Sequence, residues 1–134
     1  MTIYVPAAKV LFAGDIVVNP VPYTYRSYPT HWSRVLRQIE AIPVVALVPG
    51  HGPVERDHSY PKLVEDLMDS TLARTRAIVL RAGTTDSVKQ RLDLSDFRQR
   101  FVRSDDPLAR ALWDDSVLGA LPGRAYSCAI GYDC

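Results

Sequence analysis

Apolar positions along this chain change period several times, and each change marks an element. Residues 2–5 (TIYV) and 9–13 (KVLFA) read as two short strands joined by a turn at Pro6-Ala7-Ala8. The second contains an unbroken apolar run, Val10-Leu11-Phe12-Ala13, which suits a strand covered on both faces. It is expected to end at Gly14-Asp15. After Ile16-Val17-Val18 comes NPVPYTYRSYP, a proline-rich loop carrying Tyr23, Tyr25 and Tyr28. A helix follows, with Thr30 as its expected N-cap and Trp32, Val35, Leu36 and Ile39 on one face. Pro43 closes it, and residues 44–48 (VVALV) read as a third strand.

That strand runs into Pro-Gly-His-Gly-Pro, residues 49–53. Residues 60–82 then predict a longer helix with Pro61 in its first turn and Gly83 at its close. Its apolar side is Leu63, Leu67, Leu72, Ile78 and Val79. Residues 86–120 read as further helix in pieces, broken at 104–107 (SDDP) and at Leu121-Pro122-Gly123. The order strand, strand, helix, strand, helix, helix, helix predicts an α/β chain. No repeat or linker divides it, so residues 1–134 are expected to form a single domain.

Charge narrows the function classes. Sixteen basic residues against fifteen acidic ones give no electrostatic case for binding nucleic acid. No apolar run is long enough for a membrane helix, and the start, MTIYVPAAKV, lacks the pattern of a signal peptide. A cytoplasmic location is the expectation, and Cys128 and Cys134 are expected as free thiols rather than as a small bridge.

Two residues carry candidate chemistry. Asp15 follows a glycine at one predicted strand end, and His51 sits in a glycine- and proline-framed turn at another. Polar residues beyond neighbouring strand ends converge on a crevice in α/β sheets. Carboxylate oxygen and imidazole nitrogen both ligate zinc or iron, and glycine lets the backbone approach a metal closely. Tyr23, Tyr25 and Tyr28 are candidates for lining the adjoining cleft. Asp105, Asp106, Asp114 and Asp115 read as capping or solvated groups, and Ser116 and Ser127 have no suggested histidine partner for nucleophilic work.

KVLFAGDIV, the aromatic loop, the helix near HWSRVLRQI and VVALVPGHGPV together resemble the C-terminal half of a metallo-β-lactamase-fold hydrolase. The resemblance spans residues 3 to about 82. It implies half of an αββα sandwich, one mixed sheet with helices on a face, followed by a helical extension over 83–134. It also implies a two-metal zinc or iron site in which Asp15 bridges the metals and His51 ligates the second. The implied activity is attack of a metal-bound hydroxide on an ester, thioester, lactam or phosphoester of a small-molecule substrate. The family's His-x-His-x-Asp-His motif has no counterpart among His31, His51 and His58. His31 at a helix start and His58 in a loop read as structural, and the two cysteines are spaced too widely for paired zinc ligands. The chain is therefore expected to be inactive alone and to bind metal weakly, with its open sheet face covered by a complementary N-terminal half, by a homo-oligomer, or by the helix 60–82 and the tail helices folded over it. The alternative is a non-catalytic binding domain that has lost the metal.

Overall fold

The computed structural model describes residues 1–81, 83–132 and 134. β1 (Ile3–Val5) and β2 (Val10–Val18) form an antiparallel hairpin. The chain returns through α1 (Pro29–Glu40) to β3 (Ala46–His51), which pairs parallel with β2. The sheet order is β1-β2-β3, so the architecture is mixed α/β. α2 (Ser59–Val79), α3 (Thr85–Arg91), α4 (Ser95–Phe101) and α5 (Pro107–Leu112) follow. A π-helical turn, Trp113–Leu118, then leads directly into α6 (Gly119–Ala129).

Alternation along the strands decides which face is covered. Leu11 lies beside Tyr4 and Leu47, while Phe12 lies beside Ile3 and Val48. Leu11, Ala13 and Leu47 are buried in one cluster with Leu36 and Ile39 of α1 and Val64, Leu67 and Met68 of α2. The helices thus pack on that face. The opposite face keeps Ile3, Val5 and Phe12 exposed, Phe12 by 45%. The expectation that the apolar run of β2 is covered on both faces is corrected here, because among the described residues the helices cover only one. The buried residues of α2 and the tail belong to the inner core, so the expected cover of the open face by these helices is not found among the described residues. Phe97, Phe101, Trp113, Val117 and Leu121 join the same inner core, with Phe101 meeting Tyr60 edge-on and Trp113 at 5.5 Å.

Several element ends differ from expectation for local reasons. α1 begins at Pro29, not after Thr30, because proline's fixed φ suits the first helical turn and its missing N–H has no partner to lose there. β2 continues past Gly14-Asp15 to Val18, and β3 continues through Pro49 and Gly50 to His51. Proline is tolerated there because β3 is an edge strand. α2 stops at Val79, and Ala82, the expected last residue, lies outside the described residues. The tail runs through Pro122 without a break. A proline ring clashes with the carbonyl four residues back, here Leu118, and the wide π-turn at that point relieves the clash.

Cys128 and Cys134 form a disulfide, which corrects the free-thiol expectation. The chain turns back at Gly131 and brings their Cα atoms to 5.3 Å, inside the range a bridge requires. The Cys134 carbonyl also accepts from the His31 N–H at 2.9 Å, serving one of the unpaired amides of the first turn of α1. Among the described residues no helix is long and apolar enough to cross a membrane.

Candidate functional site at the β2–β3 edge

Asp15 and His51 reach each other because the two strands are mismatched in length. Gly14 pairs with Pro49 and Val18 with His51, so four steps of β2 run beside two of β3. β2 takes up the surplus as a bulge, which lays the Asp15 side chain over β3. Asp15 Oδ1 then lies 3.7 Å from His51 Nε2.

Gly50 makes this approach possible. A Cβ at position 50 would stand 2.1 Å from Asp15 Oδ1 and 2.8 Å from the Gly14 carbonyl carbon. Gly52 answers a second demand. It has φ of +93°, and a Cβ there would lie 2.7 Å from the Asn19 Cβ. Asn19 is held close by its own N–H, which donates to the His51 carbonyl at 3.1 Å. The glycines around the histidine therefore let β3 lie against a bulged β2.

The Asp15 and His51 side chains are 81% and 70% exposed. A contact this open adds little to stability, so the glycine beneath it is accounted for by the close approach of the two strands. Donor types suit zinc or iron, but their number does not suffice. Among the described residues no three His, Cys, Asp or Glu side chains are placed to hold a metal ion. His31 stands at the start of α1 on a cleft that also includes Asp15. His58 precedes α2 and lines neither cleft beside Asp15, and its Nε2 is buried without a hydrogen-bond partner among the described residues.

The tyrosines separate. Tyr23 and Tyr28 line an open cleft of about 610 Å³ with Asp15, His31 and Trp32. Tyr23 also borders a second chamber of about 530 Å³, between the Asp15–His51 pair and α5. Tyr25 lines neither. Its hydroxyl hydrogen-bonds the Asp115 carboxylate, which pushes its pKa up to about 12, and its carbonyl accepts from Arg124. Asp115 is thus a partner for the loop as well as a solvated group, while Asp106 caps α5 by accepting from the Ala109 N–H.

Ser116 was not legible as part of this region. It is buried in the π-turn, donates to the Pro22 carbonyl and accepts from the Thr24 N–H, each at 2.8 Å. The Thr24 hydroxyl donates back to the Ser116 carbonyl. These bonds tie the aromatic loop to the tail. A lone serine in a helical stretch carries no signal of such a bond; the nearest hint was Pro122, which the wide turn containing Ser116 precedes. Compared with protein-family models and with curated proteins, the chain matches none.

Proposed function

We propose that this chain supplies part of a metal-dependent hydrolase centre acting on a small-molecule ester, thioester, lactam or phosphoester. Asp15 and His51 are two of its donors, for zinc or iron. The observation that carries this reading is the exposed Asp15–His51 contact over a glycine whose side chain would occupy the carboxylate's place. A catalytic zinc takes about three protein ligands, so two donors leave the centre incomplete and no reaction step is assigned to the chain alone. In this reading the sheet with helices on one face is half of an αββα sandwich, and a complementary polypeptide brings the remaining donors.

Zinc added to the chain tests this by nuclear magnetic resonance. The expected result is weak binding that moves the His51 ring signals before those of His31 and His58 and is lost in Asp15→Asn. The purified chain should carry well under one equivalent of zinc or iron and hydrolyse esters and lactams at background rates. A stoichiometric metal that disappears in His51→Ala would overturn the incomplete-site reading. Zinc responses at His31 or His58 alone would overturn the donor assignment.

A second reading, a non-catalytic interaction domain, is favoured by the outer sheet face, where Ile3, Val5 and Phe12 are all exposed. A patch of adjacent apolar side chains on a sheet is a surface for a partner or for a second copy.

A further inference from the structure

We infer that the chamber between the Asp15–His51 pair and α5 receives the apolar acyl, alkyl or aryl group of a small neutral ligand, whose polar head lies against Asp15, His51 and Tyr23. This rests on the reading of Asp15 and His51 as the reacting edge and names the substrate class that edge takes. The chamber holds about 530 Å³, within the usual range for a small-molecule site.

Its polarity is sorted to one end. Val18, Val21, Leu108 and Leu112 form apolar walls. Two of the polar residues beside them are already committed within the protein. The Asn19 side-chain amide donates to Glu55 Oε1 at 2.8 Å, and the Ser116 hydroxyl is bonded to Pro22 and Thr24. Asp15, His51 and the Tyr23 hydroxyl are side-chain groups of the lining that can turn a donor or acceptor toward a guest, and the Asn19 amide oxygen adds an acceptor. A guest therefore finds hydrogen-bonding groups beside Asp15, His51 and Tyr23 and a largely apolar lining from Val18, Val21, Leu108 and Leu112.

Leu108 supplies an independent sign. It is 62% exposed on α5, yet it faces this chamber rather than open surface alone. An apolar group in the chamber would cover it. The walls are also held in place before any ligand arrives, because the Thr24–Ser116 bonds fix the loop of Val21 and Pro22 against the π-turn beyond Leu112. A cavity ordered in advance costs less to fill. The walls carry no charge, whereas a charged group would lose its water on entering, so a neutral apolar group fits and an ionic one does not.

The test is titration of the isotope-labelled chain with hexan-1-ol, using ethanol as the short control, with zinc titrated into a separate sample. Hexan-1-ol is expected to give saturable shifts at the amides of Val18, Val21 and Leu112, and to bind at least tenfold tighter than ethanol. Leu108→Asp, an exposed position in a first helical turn where an acid is accommodated, should leave the fold intact and weaken hexan-1-ol about tenfold. Equal binding of the two alcohols, no effect of Leu108→Asp, or shifts centred on Phe12 instead would each overturn the assignment. Zinc binding without hexan-1-ol binding defeats the pocket alone. Saturable hexan-1-ol binding without a zinc response at His51 defeats the hydrolase reading and leaves a pocket for apolar ligands.

Discussion

A methyl group at position 50 would stand 2.1 Å from the Asp15 carboxylate, and backbone atoms of Gly14 and Asp15 lie behind it. Gly50→Ala must therefore push β2 and β3 apart. The expected cost is about 1–3 kcal/mol in thermal or denaturant unfolding, with loss of the Asp15–His51 approach. His51→Ala, at an exposed side chain, should change stability by less than about 0.5 kcal/mol. A large loss from His51→Ala, or none from Gly50→Ala, would contradict this account. The contrast also marks what was legible at this scale. That Asp15 and His51 lie near each other was expected from strand ends, but β2 runs on past Asp15 and a bulge inside it is what brings the two side chains together. The reason for Gly50 was not legible, since it depends on a register in which one strand outruns its neighbour. Tyr25 was misplaced for a similar reason, because Asp115 and Arg124 lie far along the chain from it.

Between elements, the sharpest electrostatic feature joins α1 to α2. Glu40 of α1 and Glu65 of α2 each keep a buried oxygen, Oε1 and Oε2 respectively, with no hydrogen-bond partner among the fixed donors of the described residues. Two ionised carboxylates have only acceptors to offer, so a proton between them satisfies both. Burial, followed by the hydrogen bond to Glu65 and its charge, raises Glu40 from its ordinary 4.5 to about 7. Burial also pushes Glu65 upward, but the Glu40 hydrogen bond, Lys62 and Arg37 outweigh it and hold its carboxyl low. The proton therefore resides on Glu40. Asp66 adds further negative charge beside Lys62, and Asp69 adds it beside Arg37.

A folded-state pKa raised above the unfolded value means that this contribution is complete below about pH 4.5 and is lost as pH rises through about 7. Melting temperature is expected to fall between about pH 5 and 8, and Glu40→Gln should flatten that fall, since its amide donates at every pH. Melting curves whose pH dependence is the same in Glu40→Gln and the parent would rule the shared proton out. The apolar spacing that defined α1 was readable in the sequence. Glu40 falls off the apolar face of α1, and nothing in the sequence shows that α2 lies beside it. Pro122 misled in the same way. Its ring breaks an ordinary helix, and only the π-turn before it explains why this one continues.

At the scale of the whole molecule, one sheet face is packed and the other keeps Ile3, Val5 and Phe12 exposed. The α/β class was legible from the order of elements, but the side on which the helices settle was not, because the apolar run of β2 suits either. Exposed Ile3, Val5 and Phe12 should make the chain associate as its concentration rises, measurable by sedimentation or light scattering. Phe12→Gln should move that equilibrium toward monomer without lowering stability by more than about 1 kcal/mol. A parent chain that stays monomeric across the range would leave the outer face without this role.

The hydrogen bonds between Thr24 and Ser116 bridge 92 positions of sequence. Contacts so distant form late in folding, since a long segment must be ordered before they bring any return. During synthesis, the strands bearing Asp15 and His51 leave the ribosome well before the π-turn does. The hairpin and the parallel pair can form early, while the loop of Tyr23 waits for the last third of the chain. The cleft is then a late product of folding, and because Trp113, Val117 and Leu121 share the core that covers the sheet, damage to the tail would cost the cleft and loosen the sheet with it.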